Sequence, residues 1–218
     1  LTDNFGIIQF ANHVKQDIKA DIKPDISSGY TLDDNARAMI ANCMHYKMFK
    51  DNFKLKRIKT YLDFIKHVQQ ADGSLYNYVN YDKKVDKEHW TYDAHGRALW
   101  ALGYLISVKS IPLKLRNEAE EIFKKGLKIT ETTKLPRPIA FSIIGLYFYN
   151  SVRPSADNLA LIKKQADKLA SLYELNSSSE WQWFEDRLTY SNSKLPESLF
   201  YAYLSTKNKK YQKIALSA

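Results

Sequence analysis

Two kinds of helical pattern alternate along this chain, and that alternation limits the possible folds more than any other feature. Leu55, Ile58, Leu62, Ile65 and Val68 recur at three- and four-residue steps, an apolar stripe on an otherwise polar helix. Leu115, Ala119, Ile122 and Phe123 repeat the pattern, as do Leu159, Ile162, Ala166, Leu169 and Tyr173. Between these lie residues 94–108 and 139–149, apolar nearly all round, and the intermediate stretches 35–49 and 195–204. A helix without a polar face must be surrounded by protein. The chain therefore reads as stacked hairpins, buried helix against half-exposed helix, four times over. The expected fold class is all-α: an (α/α) toroid of about four helical hairpins, truncated from a six- or seven-hairpin barrel. It is expected to form one domain over 1–218, incomplete at its C-terminus.

The connections are asymmetric. Buried helix to exposed helix takes a few residues, at 50–53, 109–112 and 151–157. The return takes about twenty in two cases, 71–93 and 174–194. In a ring of hairpins every return segment lies on one rim, at the N-terminal ends of the buried helices. Long segments of this kind usually carry function, so a site is expected there.

Composition narrows the partners. The net charge of +9 raises nucleic acid as a candidate, and residues 47–59 are the densest basic stretch, with Phe49 and Phe53 interleaved. Lys greatly outnumbers Arg, however, and the guanidinium fork is the better phosphate reader, so the stretch reads as a solvated face and no nucleic-acid partner is expected. The lone Cys43 excludes an internal disulfide and a zinc ribbon; it leaves the compartment open, with a slight lean to the cytoplasm. No segment is long enough to span a bilayer, and a soluble protein is expected. The chain opens at Leu1 without a signal pattern, which reads as a processed or excised piece.

Internal similarity supports the repeat. Tyr30-Thr-Leu-Asp-Asp-Asn-Ala-Arg37 echoes Trp90-Thr-Tyr-Asp-Ala-His-Gly-Arg97, so Thr31 aligns with Thr91, Asp33 with Asp93 and Arg37 with Arg97. Each stretch opens a buried helix. Thr31 and Asp34 fit a capping box, and both Asp33 and Asp34 complement the helix dipole. Thr91 or Asp93 caps the second helix. Arg37 and Arg97, if buried, demand acidic partners, for which the rim acids are the candidates.

Trp181-Gln-Trp-Phe-Glu-Asp186 is the most informative run. Tryptophans spaced by one residue point to the same side of an extended segment. Beside Glu185 and Asp186 they suit a carbohydrate site, where an indole stacks on a pyranose while acids take its hydroxyls. The competing reading makes Trp181 and Trp183 core plugs at the barrel mouth. Glu197 follows Pro196 at a helix start, where its charge suits the dipole without a catalytic role. Asp72-Gly73-Ser74, with Tyr76 and Tyr78, reads as a turn leading into an aromatic loop that could line a cleft. His89 and His95 lack metal-ligand spacing, and no Gly-rich phosphate loop or nucleophile elbow exists, so neither metal nor cofactor is expected.

Ser28-Gly-Tyr-Thr-Leu-Asp-Asp-Asn-Ala-Arg37 and Trp181-Gln-Trp-Phe-Glu-Asp-Arg-Leu-Thr-Tyr-Ser-Asn-Ser-Lys-Leu-Pro-Glu197 resemble two signatures of a bacterial helical-toroid family. Its members are often labelled glycosyltransferase-associated and are similar to the six-hairpin glycosidases. The likeness runs over most of the chain, and the family pattern continues past Ala218. It implies a carbohydrate-active protein with an oligosaccharide or glycan as partner, and it makes an attached glycosyltransferase domain possible. A glycoside hydrolase needs two carboxyl groups flanking the bond. Glu185 or Asp186 is then expected as proton donor and Asp34 as base. Trp90 and Trp183 become sugar platforms, with Asp33, Tyr92, Asp93, His95, Arg97, Trp181 and Glu197 as further substrate contacts. The alternatives are a non-catalytic glycan-binding or scaffolding domain, and a sugar epimerase or isomerase with His95 central.

Overall fold

Threonines start two of the buried helices in the same way. In the computed structural model, which describes residues 2–14, 21–88 and 90–218, the Thr31 hydroxyl accepts from the Asp34 N–H at the start of α1 (Leu32–Phe49). Thr91 does the same for Ala94 at the start of α3 (Tyr92–Ser107). Pro136, with its fixed φ and no N–H to satisfy, opens α5 (Pro136–Asn150), and α7 spans Lys194–Thr206. These four are the inner helices, each packed on the next. Each is followed by an outer helix: α2 (Asn52–Val68), α4 (Leu113–Thr130), α6 (Ala156–Asn176) and α8 (Lys209–Ser217). The result is an arc of four helical hairpins, a partial (α/α) toroid, as the alternation of patterns predicts.

The core lies between the two layers. Helix α3 is buried from Ala94 to Ile106 except at half-buried Trp100, and α5 from Arg137 to Leu146. Their backbones touch: a Cβ on Gly103 would lie 2.2 Å from the Gly145 carbonyl oxygen, so only glycine permits the approach. The single thiol, Cys43, is fully buried in the same core, and burial pushes its acidity down.

A small antiparallel sheet, which the helical reading does not anticipate, joins the chain's beginning to the first return segment. Its order is β1 (Ile8–Val14), β2 (Asp21–Thr31), β3 (Tyr78–Val79), β4 (Val85–Asp86). Tyr30 pairs with both Ile8 and Val79, with a register shift between Ile8 and Phe10. Buried Asn35 ties this sheet to α1, accepting from the Ile7 N–H at 3.1 Å and donating to the Thr31 carbonyl at 2.8 Å. Strand β2 runs directly into α1, so the sheet sits on the rim where the inner helices begin. Among the described residues no helix is long and apolar enough to cross a membrane.

Candidate functional site

Both long return segments reach that rim, and buried polar side chains hold each one. The described residues of 69–91 fold over the start of α3. There His95, fully buried, accepts from the Leu75 N–H at Nδ1 (3.2 Å) and contacts the Gly126 carbonyl through Nε2 (2.9 Å). The backbone donor on Nδ1 fixes the neutral tautomer, and burial pushes the imidazole down to about 4. His95 therefore fixes the loop and does not face the mouth, a correction to its expected sugar contact. His89 lies outside the described residues.

Residues 177–193 are held by Arg137, a side chain the sequence argument passes over. Its guanidinium is almost wholly buried in the first turn of α5. Nη1 donates to both oxygens of Glu185 (2.9 and 2.8 Å), Nη2 to Asn192 Oδ1 (3.0 Å), and Nε to the Tyr190 carbonyl. The Tyr190 ring lies over the guanidinium at 4.7 Å. A signal was present: an arginine between two prolines, at the start of a helix apolar all round, has no stable place without an acid.

Between these two anchors the rim acids gather on Arg97. Its Nε donates to Asp93 Oδ2 (3.0 Å) and lies 2.9 Å from Asp33 Oδ1, while Nη2 donates to Ser191 Oγ (3.0 Å) and the Phe141 ring packs against it at 4.4 Å. The Tyr190 hydroxyl donates to Asp93 Oδ1 at 3.0 Å. Asp33 also accepts from Arg37 through Oδ2 (2.9 Å), yet its buried Oδ1 has no hydrogen bond of good geometry among the described residues. Burial pushes the Asp33 carboxyl above its ordinary range; Arg97 and Arg37 oppose this, and the charges of Asp34 and Asp93 add to it.

The other candidates occupy different settings. Asp34 takes the Thr31 hydroxyl at Oδ2 (2.6 Å) and Arg37 at Oδ1 (2.8 Å), so both its oxygens are committed. Glu185 is saturated by Arg137. Asp186 stands out in solvent at 81% side-chain exposure. Glu197 pairs with Lys194 at 2.6 Å, and Lys194 sits over the Trp100 ring at 4.5 Å. Trp183 is turned into the core beside Phe184, 7% exposed, so it is not open as a stacking platform; this corrects the reading that put both indoles on one open face. Trp181 is half-buried, and its Nε1 donates to the Glu185 carbonyl at 2.6 Å.

Trp90 and Tyr92 meet edge to face at 4.4 Å and wall a cavity of about 360 Å³ that is also lined by Asp72, Ser74, Tyr76 and Lys128. The Asp72 carboxyl is held below its ordinary range by hydrogen bonds from Ser74. The Trp90 indole N–H is buried without a partner among the described residues. Among those residues no cluster of His, Cys and acidic side chains is arranged to hold a metal ion.

No family model matches the chain, and no curated sequence does either. Solved structures do. A cellobiose 2-epimerase from Bacillus thermoamylovorans B4167 superposes with a TM-score of 0.71 over 100% of this chain, at 13% identity. The fold is that of an (α/α) toroid. The chain spans 65% of that epimerase's length. A D-mannose isomerase matches 86% of this chain and 58% of its own, with a TM-score of 0.63 at 12% identity. A family 88 glycosyl hydrolase from Bacteroides vulgatus matches 68% of this chain and 51% of its own, with a TM-score of 0.53 at 15% identity. At such identities the likeness is one of fold alone.

Proposed function

We propose that this chain acts on glycans at the shared mouth, by acid–base chemistry on a glycosidic or sugar bond, with Asp33 and Asp93 as the working carboxyl groups. The observation that carries this is their meeting on one buried guanidinium, from equivalent turns of two neighbouring inner helices. Their contacting oxygens lie 2.9 and 3.0 Å from the same nitrogen, which keeps them no more than about 6 Å apart, inside the range two cooperating carboxyl groups can span. A general acid must hold its proton close to working pH, and Asp33 is the rim acid whose carboxyl burial raises. Asp93, oriented by Tyr190 and Arg97, is its partner base or nucleophile. These roles move from Asp34, which is tied into the α1 cap, from Glu185, which Arg137 holds through both oxygens, and from Asp186, which lies in solvent; Asp93 takes its role by giving up the Tyr190 or Arg97 bond to substrate. Trp90, with Tyr76 and Tyr92, supplies the apolar wall for a pyranose face. The solved proteins that share the fold are named for chemistry on sugars, which supports sugar as the substrate class.

A second reading, a non-catalytic glycan-binding domain attached to a glycosyltransferase, is favoured by the cation held against each of Asp33, Asp34, Asp93, Glu185 and Glu197. An epimerase with His95 as its base finds no support, since both ring nitrogens are taken.

The test is a screen of neutral and acidic oligosaccharides for new reducing ends or inverted centres by NMR. Asp33→Asn and Asp93→Asn should each lower turnover by roughly 100-fold or more, while Asp34→Asn and Glu185→Gln affect mainly stability. Turnover that survives both of the first two changes rejects the assignment. Sugar binding without any turnover selects the second reading.

A further inference from the structure

The end of the arc away from the mouth is built from the turns inside the hairpins. The C-terminal halves of the inner helices lie side by side: α1 packs along α3 with Cys43 close to Tyr104, Tyr104 meets Phe148 at 4.9 Å, and Tyr147 meets Tyr201 at 4.5 Å. The turns that follow these helices therefore share one end, and the first two make an unusual surface. Between α1 and α2, Met48, Phe49 and Phe53 are 72%, 64% and 55% exposed. Lys47 and Lys50 flank them, and Lys54 and Arg57 lie over the Phe53 ring at 5.6 and 5.2 Å, the Arg57 guanidinium being engaged inward on the Thr2 and Asp3 carbonyls. Between α3 and α4, Leu113 is 56% exposed, with exposed Lys109 and Lys114 on either side. Asp51 is the one acid in these two turns, and its carboxylate caps α2 by accepting from the Phe53 N–H at 2.8 Å.

Bare aromatic and aliphatic tips are costly in water, at about 25 cal/mol for each Å². Ringed by lysines, they have the chemistry of an interfacial contact: apolar groups enter the headgroup boundary while ammonium groups meet anionic headgroups. Nucleic acid would use the aromatics for stacking and favour arginine for its phosphates, and it gives Met48 and Leu113 no role. We propose that this end of the arc docks on an anionic lipid bilayer, with Met48, Phe49, Phe53 and Leu113 entering the headgroup boundary and lysines of the same turns facing lipid phosphates. The mouth then opens away from the membrane. The inference does not depend on the reaction at the mouth.

Vesicle flotation of the full chain tests it, with phosphatidylcholine vesicles alone and with roughly one-third phosphatidylglycerol added. Capture by the anionic vesicles and not by the neutral ones is expected. The double variant Lys47→Gln/Lys114→Gln should weaken capture about thirtyfold, near fivefold for each lysine. Phe49→Ser/Phe53→Ser should remove the part of the binding that resists salt, with a cooperative melt retained as the control for folding. A wild-type chain that ignores anionic vesicles, or that prefers a DNA duplex to them at equal salt, overturns the proposal.

Discussion

Residues 69–91 and 177–193 do the same job by opposite means. Each carries the chain from an outer helix back to the start of an inner one, and each folds over the rim. The first is fastened by a neutral imidazole, His95, taking one backbone donor and touching one carbonyl. The second is fastened by a buried cation, Arg137, which holds a carboxylate, a carbonyl and an amide together. A neutral anchor needs no buried acid to balance it, and an aromatic cavity edged by Asp72 and Lys128 forms against α4. A charged anchor requires an acid nearby and draws Glu185, Tyr190 and Asn192 to the mouth. The two anchors should therefore fail under different conditions.

Removing the charged anchor should have the largest effect. Arg137→Met leaves Glu185 without its cation and should cost about 3–5 kcal/mol, read as a lower urea midpoint, with protease cleavage first in 177–193. An Arg137→Met chain as stable as the wild type would break the comparison.

Acid should select the neutral anchor. The His95 imidazole is depressed from 6.5 to about 4 in the folded chain, so below pH 6.5 the unfolded state takes up a proton that the native state refuses. Its contribution is complete above pH 6.5 and is lost as pH falls toward 4, by ~3 kcal/mol in all. Denaturation midpoints across that window check the slope, and residues 69–91 should become protease-sensitive before 177–193. A His95→Gln variant should lose this part of the pH dependence.

The smallest effect sharpens the first segment alone. Gly73 has φ +92°, and a Cβ there would meet the Lys125 carbonyl oxygen at 2.2 Å. Gly73→Ala should cost roughly 1–3 kcal/mol by thermal melting, leaving the packing of Arg137 and Glu185 unchanged.

The helices were legible because a core imposes periodicity on each one locally. The sheet was not, because pairing between Ile8, Tyr30 and Val79 is a contact between distant segments, and Pro24 within β2 argues against a strand. At the mouth, Arg97 was recognised as acid-seeking, and it takes Asp33 and Asp93. The same logic applied to Arg137 would have found Glu185 and explained why that acid is occupied. Trp183 misled because spacing fixes a common side only while the backbone stays extended, and the chain bends at 183–187 so that Phe184 and Trp183 enter the core.

The pairing of Asp33 with Asp93 on Arg97 is the claim on which the functional account rests. Carboxyl-carbon NMR titration of the folded chain tests it most directly. The account predicts that Asp33 titrates above the ordinary aspartate value of 3.8, and that Asp93→Asn brings it down by removing a neighbouring negative charge. An Asp33 that titrates at or below that value, indifferent to Asp93→Asn, would contradict it.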